Sequence, residues 1–558
     1  MDLARRVAVA ATVSLLLAVA PAQAAPGDLD PSFGGDGIVQ AGPTSGDRLN
    51  GLALWGDRIV GAGTTTDVCS RASMARWLPD GRLDQTFGSG GYAVTAYDQC
   101  EDGYGYGSSA EAVVTAPDGT VFTSGQAHGY RGRGLLSAND ASGAPIASFG
   151  TGGYVAEQFH DGQIVALVRL PDGRLVGGGS WYALGRADWE VHRWLPNGAR
   201  DASFGDGGAV VLSTGSNYGW LSAMVADGDA GAMVAAGSFR RGTGDSKLAI
   251  GRFTAGGPLD PGFGEDGRAY VDAEGLDLGR VDLARTSDGS FVVSAGSALL
   301  RFDSSGELDP TFGAGGRVDG LPLAARDVAL DGEDRIVVAG VSPDGRFAVA
   351  RHLANGALDG TFGSGGMTVV DVPAAGVSPY EIAGPRDVVI QPDGRIVVGG
   401  TSNAGGENVM TVLRLLPDDR VVARDEAEGE LVGNAEPGDA GDAGDGGTAG
   451  GEAAGGQAES LQPSRRRVSI TILSSRVTRR GVLVRVTWPR GTDGEARARL
   501  WTRDKRVLLG RRTVTVLPGT IGRRFRIPLN RRAKRMLRGG RVLKVRATVV
   551  VTGLPARR

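Results

Sequence analysis

The sequence predicts an all-β fold: a seven-bladed β-propeller with four strands per blade, followed by a disordered acidic linker and a small Ig-like β-sandwich. Three observations predict it. A Phe-Gly phrase recurs seven times between residues 29 and 366, with successive Phe residues roughly 50 to 62 apart, a period typical of stacked repeats. Between these phrases, short β-branched runs alternate with tight turns. Beyond residue 424 the composition changes twice, first to an acidic Gly-rich segment and then to a basic segment.

Each unit is built from three recurring phrases. The first has Phe-Gly followed three residues later by Gly, at 29–37, 83–91, 146–153, 201–208, 259–267, 308–316 and 358–366. The second begins with Arg and ends with Gly, at 76–81, 193–198, 301–306 and 351–356. The third is a turn followed by a strand, as in Pro-Asp-Gly at 171–173 and 392–394. In this turn Pro presets φ, Asp bonds its own backbone and Gly takes a positive φ.

These phrases divide each unit into four strands. Around the last unit we expect an outer strand at 367–372, an inner strand at 387–391, a second at 395–399 and a third at 409–415. Four-stranded units of this length are typical of propeller blades. The repeats resemble the delta-60 repeat, a bacterial family thought to form β-propellers, over about residues 27–424. That resemblance implies the fold, and it implies no activity or site residue.

One unit departs from the pattern, and the two ends of the array are out of phase. In the third Phe-Gly unit Ala138 replaces the recurring Arg, and Ile146-Ala147 replace Leu-Asp. The array begins with a Phe-Gly phrase and an outer strand at 38–41, and it ends at a third strand that no Phe-Gly phrase follows. We therefore expect the N-terminal strand to complete the last blade, which closes the ring and removes its exposed sheet edges.

The first 24 residues are typical of a secretory signal peptide. Arg5 and Arg6 form a positive segment, residues 7–20 are apolar, and Ala22-Gln23-Ala24 is a cleavage motif. The sequence thus predicts a secreted protein, extracellular or associated with the cell surface, with no transmembrane span in its mature form. A secreted chain with two cysteines favours a disulfide, here between Cys69 and Cys100, whose loops emerge on the same face of neighbouring blades. Two unpaired thiols are the alternative.

The longest loops are predicted to emerge on one face of the propeller, opposite the short Pro-Asp-Gly turns. Variable loops rich in Tyr, Trp and Arg on a rigid scaffold are where binding usually occurs. The alternative is that these aromatic side chains pack the loops onto the rim. The candidate binding residues are Tyr104, Tyr106, His128, Tyr130, Trp181, Tyr182, Trp189, Tyr218, Trp220, Arg240 and Arg241.

The repeat residues favour structural roles, and the sequence indicates no catalytic, cofactor-binding or metal-binding residue. We expect the recurring Phe to be an inter-blade wedge. The recurring Asp either caps a turn or pairs with the recurring Arg; a calcium ligand is the less favoured reading, because the neighbouring acids do not recur from unit to unit. The four histidines fit no metal-ligand spacing, and no pair of carboxylates is singled out. The Asp positions are Asp30, Asp84, Asp260, Asp309 and Asp359.

Charge is distributed very unevenly along the chain. Residues 425–464 hold 10 acidic and no basic residues, which predicts a flexible linker, because so few apolar groups cannot offset the entropy of ordering. Residues 465–558 hold 28 Lys and Arg against 3 acidic residues. Six alternating strands there suggest the Ig-like sandwich, and the loose resemblance is to basic domains of secreted actinobacterial proteins. With a net charge of −3 for the whole chain, the propeller carries about −19.

Two functions are compatible with these features. The first is a secreted, non-enzymatic binding or scaffold protein, whose propeller engages an unknown glycan or protein and whose basic domain tethers it to an anionic polymer or lipid of the cell envelope. Nucleic acid fits the charge but not the export signal. The second is an extracellular propeller enzyme, a hydrolase or lyase acting on a polysaccharide or other polymer. Clustered carboxylates or His in a central cleft would favour the second, and a channel filled with apolar and Gly residues the first.

Overall fold

The computed structural model describes residues 25–417 and, beyond them, six further strands between residues 469 and 552. Within 25–417 it leaves out 43, 45, 67–69, 96, 98–106, 128–132, 158–162, 184–185, 213–217, 229, 241–244, 374–382 and 405–406. By its contacts the chain divides into two compact units, residues 1–419 and 420–558. The described residues are all in strands, turns and irregular segments. Among them, no helix is long and apolar enough to cross a membrane.

The first unit is a ring of seven four-stranded antiparallel sheets, which confirms the predicted seven-bladed propeller. Each blade runs from an inner strand at the central channel to an outer strand at the rim. The opening strand and the strands of blades one to three are β1 (Ile38–Ala41), β2 (Arg48–Trp55), β3 (Arg58–Thr66), β4 (Ser70–Trp77), β5 (Tyr92–Val94), β6 (Ser108–Thr115), β7 (Val121–Ala127), β8 (Arg133–Asn139), β9 (Tyr154–Glu157), β10 (Ile164–Arg169), β11 (Leu175–Ala183), β12 (Arg186–Trp194) and β13 (Ala209–Leu212).

Blades four to seven continue the same order. Their strands are β14 (Tyr218–Asp227), β15 (Ala232–Arg240), β16 (Ser246–Phe253), β17 (Arg268–Asp272), β18 (Val281–Arg285), β19 (Phe291–Ala295), β20 (Ala298–Phe302), β21 (Arg317–Asp319), β22 (Ala324–Leu330), β23 (Ile336–Val341), β24 (Arg346–His352), β25 (Met367–Pro373), β26 (Gly384–Ile390), β27 (Ile396–Ala404) and β28 (Glu407–Leu415). Blade seven holds only three consecutive strands, β26 to β28, and needs a fourth from elsewhere.

The N-terminal strand supplies that fourth strand, as predicted. Strand β1 pairs antiparallel with β28, with Ile38 opposite Leu413 and Ala41 opposite Met410. Further backbone bonds join the N-terminal segment to the end of β28, including Gly27 N to Leu416 O at 3.0 Å. The two ends of the array thus lie in one sheet, so the ring has no free edge between its first and last blades.

The recurring Phe-Gly phrase packs as an inter-blade wedge, which confirms the interpretation of its Phe. All seven Phe side chains are buried, with at most 2 % of their surface exposed. The fully buried rings sit between layers of small and β-branched side chains from adjacent blades, which form separate apolar clusters around the ring. The seven residues are Phe33, Phe87, Phe149, Phe204, Phe263, Phe312 and Phe362.

The recurring Arg and Asp form a repeated contact that we call the Arg–Asp clasp. In blade one, Arg76 Nε donates to Asp84 Oδ2 at 2.9 Å, and its guanidinium lies 4.5 Å from the centre of the Phe87 ring. The same guanidinium donates to Ala141 O of blade two at 2.6 Å, while Asp84 Oδ1 accepts from the Thr86 hydroxyl at 2.6 Å. The recurring Asp therefore pairs with Arg and caps its turn, as the sequence favoured. Equivalent ion pairs are Arg193–Asp201, Arg252–Asp260, Arg301–Asp309, Arg351–Asp359 and Arg414–Asp30.

Blade two lacks the clasp, as its departure from the repeat pattern indicated, but the alignment of its Asp position was wrong by one residue. The backbone bond from Ile146 N to Ala138 O is the counterpart of the bond from Asp84 N to Arg76 O. Ile146 therefore occupies the Asp position. The reason is the fixed spacing to the wedge, since the capping residue precedes the Phe by three positions in every unit.

The inner strand carries a β-bulge near its start in six of the seven blades. The register shifts across Asn50, Glu111, Val165, Ser222, Arg326 and Arg386. A glycine on the second strand makes the bulge possible: a Cβ on Gly340 would lie 2.1 Å from Ala324 O, and one on Gly400 2.1 Å from Gly384 O. Blade five has Ala295 at this place, and its inner strand pairs without a shift.

The second unit is described only by its strands. They are β29 (Ser469–Ile472), β30 (Val482–Thr487), β31 (Gly494–Thr502), β32 (Leu508–Val516), β33 (Gly522–Ile527) and β34 (Val545–Thr552). They form two three-stranded antiparallel sheets, in the orders β29-β30-β33 and β32-β31-β34. The six strands coincide within a few residues with the six expected from the alternating pattern, at 468–473, 482–487, 496–501, 512–517, 523–527 and 542–551. The predicted linker lies outside the described residues.

Candidate functional site

The loop side of the propeller is the face on which the inner strands begin. Because each blade is antiparallel throughout, the connections from second to third strand and from outer to next inner strand emerge on this face. The short turns, such as Gly56-Asp57 and 392–394, lie on the opposite face. The residues at the start of the inner strands, including the bulges, therefore line the loop-side mouth of the central channel.

Charged side chains from five blades converge at this mouth. They are Arg48 of blade one, Glu111 of blade two, Arg280 just before the inner strand of blade five, Arg326 of blade six and Arg386 of blade seven. All five are half-buried. Glu111 interacts electrostatically with Arg386, Arg280 and Arg48. Blades two and five lie on opposite sides of a seven-membered ring, so the interaction of Glu111 with Arg280 crosses the channel.

The positive charges in this group, the mouth cluster, outnumber the negative ones. Burial lowers the pKa of Arg280 to about 9, and the nearby guanidinium groups of Arg386 and Arg326 lower it further against the opposing effect of Glu111 and Asp277. Burial also lowers the pKa of Arg386 and of Arg326. Like charges brought together in a partly desolvated channel are costly unless an anion joins them.

Two of these arginines have no hydrogen-bond or ion-pair partner in the part of the chain that the structure describes. Neither Arg280 nor Arg326 forms a hydrogen bond or an ion pair there, and Arg48 Nε is buried without an acceptor. The clasp arginines differ sharply, because Arg76 bonds a carboxylate, a hydroxyl and a carbonyl oxygen at once. Each guanidinium has five N–H donors. The mouth cluster thus presents unused donors and positive charge to the channel.

Three aspartates from blades five, six and seven form a second group in the channel, which we call the carboxyl chain. Asp282 Oδ2 accepts from Val328 N at 2.9 Å, Asp327 Oδ2 from Val388 N at 2.6 Å, and Asp387 Oδ2 from Leu52 N at 2.7 Å. Each carboxyl group therefore bonds the inner strand of the next blade. The last of these bonds crosses the closure of the ring.

The carboxyl chain shares protons. Asp327 is hydrogen-bonded to both Asp282 and Asp387, which requires a proton between neighbouring carboxyl groups. Burial is the main cause that raises the pKa of all three groups, and the adjacent charges raise that of Asp327 further; the pKa of Asp387 reaches about 6. In the described part of the chain, no three acidic, His or Cys side chains are arranged to hold a metal ion.

The candidate residues named from the loops fall into three groups. Trp220, at the start of the inner strand of blade four, is 49 % exposed on the loop side. Trp189 is 4 % exposed and packs in the core between blades three and four, so its indole contributes to inter-blade packing and cannot form part of a ligand face. The backbones of Trp181, Tyr182, Tyr218 and Arg240 lie in strands β11, β14 and β15.

The remaining candidates lie outside the described residues, and their roles stay predictions. Cys69 and Cys100 do so as well, so the disulfide between them is untested. These candidates are Tyr104, Tyr106, His128, Tyr130 and Arg241.

A polar cavity of about 600 Å³ lies at the junction of blades two and three, where the Arg–Asp clasp is missing. It is lined by the Phe-Gly loop and outer strand of blade two, by the turn before the outer strand of blade three, and by Tyr97 and Arg133. Glu157 substitutes for the clasp by pairing with Arg200 and accepting from Trp194 Nε1 at 3.3 Å. The cavity follows from this local change of contacts.

Reading the sequence alone missed the mouth cluster and the carboxyl chain. One signal was available: Arg326-Asp327-Val328 and Arg386-Asp387-Val388 repeat the same three residues at the start of two inner strands. Charged pairs are unexpected there, since an inner strand is buried on both faces. The bulge explains them, because the extra residue places Arg and Asp on the channel side together.

A match to a family model, over a short part of the chain, supports the β-propeller fold. A family model described as a domain of unknown function (DUF5122) beta-propeller matches residues 391–420. A search of curated proteins found no match. Among solved structures, the chain is similar to a polysaccharide lyase, Uly1, at 12 % identity and a TM-score of 0.41, covering 66 % of this chain and 90 % of that one.

Two further similar structures have other printed descriptions. Sqt1 from Chaetomium thermophilum matches at 13 % identity and a TM-score of 0.36, covering 66 % of this chain and 95 % of that one. Semaphorin 2a from Drosophila matches at 8 % identity and a TM-score of 0.40, covering 70 % of this chain and 76 % of that one. Likenesses this distant concern the fold alone.

Proposed function

We propose that this protein is a secreted, non-enzymatic binding or scaffold protein whose propeller takes an anionic ligand or partner at the loop-side mouth of its channel. The observation that carries the proposal is the mouth cluster, in which Arg280 and Arg326 are half-buried and form no hydrogen bond or ion pair among the described residues. Removing a guanidinium from water without a counter-ion costs free energy. A bound anion offsets that cost, and no role in packing does.

The exposed indole of Trp220 supports binding on the same face. An aromatic side chain that is 49 % exposed at the start of an inner strand is available for contact with a ligand. Trp and Arg are the residues most often responsible for binding energy at interfaces. A glycan or protein carrying negative charge can use both kinds of contact, stacking on the indole and bonding to the guanidinium groups.

The propeller and the C-terminal segment have different proposed roles. We infer that the repeats are delta-60 repeats that form the binding platform, and that the basic C-terminal segment, as an Ig-like domain, tethers the protein to anionic polymers or lipids of the cell envelope. The charge of residues 465–558, 28 basic against 3 acidic, supports the tether. The signal-like residues 1–24 support export.

An extracellular polymer-degrading enzyme is the second candidate. The carboxyl chain favours it, because a carboxyl group with raised pKa beside an ionised one is how many hydrolases and lyases arrange a general acid and base. Carboxyl groups clustered in the central channel are also what the sequence analysis expected of an enzyme. Against it, one oxygen of each carboxyl group already accepts a hydrogen bond from the backbone of the next blade.

The binding proposal is tested with the full mature chain and a panel of anionic and neutral polysaccharides. We expect an anionic polymer to bind, and Arg280→Gln with Arg326→Gln to weaken that binding about 100-fold, since each charged hydrogen bond is worth about 1.5–3 kcal/mol. Arg82→Gln is the matched control, because Arg82 is 76 % exposed in a turn on the opposite face.

Three results would count against the proposal. Equal binding by the double variant and the wild type would remove the mouth cluster as the site. Chain cleavage of any bound polymer, lost on Asp327→Asn, would favour the enzyme instead. For the tether, pelleting of the full chain with isolated cell walls should weaken steeply between about 0.1 and about 1 M salt, because exposed charges are screened over about 10 Å and about 3 Å respectively. Pelleting that ignores salt would exclude an electrostatic tether.

A further inference from the structure

We propose that the mouth cluster takes a doubly charged oxyanion, a phosphate monoester group, and that Glu111 makes it discriminate against singly charged groups. This inference rests on the proposed function and specifies its ligand. It is carried by the number of charges, by the geometry of the donors and by the position of Glu111 across the channel.

The charge balance of the cluster sets the charge of the ligand. Arg280 and Arg326 form no ion pair within the described part of the chain, so the cluster holds two guanidinium charges without an ion-paired carboxylate there. A phosphate monoester supplies most of two negative charges near neutral pH, whereas a carboxylate or a sulfate ester supplies one.

The donor geometry favours an oxyanion with several free oxygens. Arg280 and Arg326 come from two consecutive blades, so their guanidinium groups approach the channel axis from different directions. A planar guanidinium donates two parallel bonds to a pair of oxygens. A tetrahedral group presents more than one such pair, and a planar carboxylate presents only one. Two guanidinium groups from different blades therefore match the tetrahedral ion better.

Glu111 acts as an internal competitor for the same arginines. It lies at the bulge of blade two and faces Arg48 of blade one, Arg280 of blade five and Arg386 of blade seven. On its own strand the Ser109 hydroxyl donates to it at 2.9 Å, while the Asn50 amide of blade one is committed to Ala110 O at 2.8 Å. A singly charged ligand gains little over this carboxylate, so only a more highly charged group binds well.

The competition depends on pH. Burial raises the pKa of Glu111, against the opposing effects of the Ser109 hydroxyl and the three arginines. Protonation of Glu111 removes the internal anion, so anion affinity should rise as the pH falls through this pKa. Sulfate is the suitable probe, because it keeps both charges over the range in which a carboxyl group titrates.

The test is calorimetric titration of the full mature chain with sulfate and with acetate at about pH 7 and about pH 5. Titration of the Arg280→Gln, Arg326→Gln double variant provides the blank for ions bound by the basic C-terminal region. After subtraction we expect sulfate to bind at least about tenfold more tightly than acetate, a difference equivalent to about 1.4 kcal/mol. Glu111→Gln should raise acetate affinity about tenfold and reduce the pH dependence of sulfate binding, whose remainder reflects the titration of Asp282, Asp327 and Asp387 in the same channel.

The outcomes separate the two levels of the proposal. If the double variant matches the wild type toward every probe, both the mouth site and its charge requirement fail. If the arginines matter but sulfate and acetate bind alike, or Glu111→Gln changes neither ion, only the charge requirement fails. Should Glu111→Gln not fold, Glu111→Ala is titrated in its place. Competition by dextran phosphate, dextran sulfate and alginate then compares the anionic groups, with the phosphate monoesters of dextran phosphate expected to compete best and the singly charged groups of dextran sulfate and alginate less.

Discussion

The carboxyl chain should make the free energy of unfolding depend on pH between about 4 and about 7. The perturbation is Asp327→Asn, which replaces the central, proton-bearing group. The asparagine amide can donate to the neighbouring carboxylates without a proton, and its Oδ1 can still accept from Val388 N, which Asp327 binds at 2.6 Å. The variant therefore keeps the contacts of the chain and loses its need for protons.

The magnitude follows from Asp387, whose pKa is raised from 3.8 to about 6. A carboxyl group whose pKa is higher in the folded state stabilises the fold at low pH, and this contribution is lost as the pH rises through the folded pKa. At about 1.4 kcal/mol for each pH unit between the two pKa values, the contribution of Asp387 is about 3 kcal/mol. The three carboxyl groups titrate together, so this figure is the expected scale for the chain.

Urea unfolding of wild type and Asp327→Asn at several pH values measures the effect. We expect the stability of the wild type relative to the variant to fall by about 3 kcal/mol from about pH 4 to about pH 8. The stability of the variant is subtracted at each pH because burial lowers the pKa of His192 and His352. Their titration makes the stability of both proteins rise with pH. Asp371→Asn, at a carboxylate whose side chain is 95 % exposed, is the control. A difference that stays constant with pH would refute proton sharing in the channel.

Three further predictions concern the scaffold. Deleting residues 28–40 should remove the fourth strand of blade seven and cause aggregation or loss of cooperative unfolding, and a stable monomeric truncation would exclude closure by this strand. Asp359→Ala should cost about 3–5 kcal/mol in unfolding experiments because it leaves the buried Arg351 guanidinium without its carboxylate, whereas Arg351→Met with Asp359→Leu should cost clearly less, and equal losses would contradict this. A Cys69–Cys100 disulfide, closing a loop of about 30 residues, should contribute about 3 kcal/mol, and non-reducing peptide mapping that finds two free thiols in the exported protein would end that prediction.

Much of the scaffold could be predicted because its determinants are local and repeated. Pro-Asp-Gly turns and β-branched runs place strands within a few residues, and the phase difference between the two ends predicts the pairing of β1 with β28. The mouth cluster could not be predicted in the same way. Whether Arg326 points into a sheet or a channel depends on a bulge, and the bulge depends on Gly340 of the neighbouring strand. Contacts across the channel, such as that of Glu111 with Arg280, join residues far apart in sequence.

The arginines of this propeller show how repetition separates scaffold from site. Clasp arginines such as Arg76 recur in six blades, each is paired with Asp, and five of the six also lie over the wedge Phe, so their role is complete within the protein. At the bulge position of Arg326 the other bulged blades hold Asn50, Glu111, Val165, Ser222 and Arg386. Neither Arg280 nor Arg326 has a hydrogen-bond or ion-pair partner among the described residues. A contact that holds neighbouring blades together in the ring is needed at nearly every junction between blades. Positive charge that is confined to one arc of the channel mouth is not needed to hold neighbouring blades together. We attribute it to a ligand that approaches from the loop side.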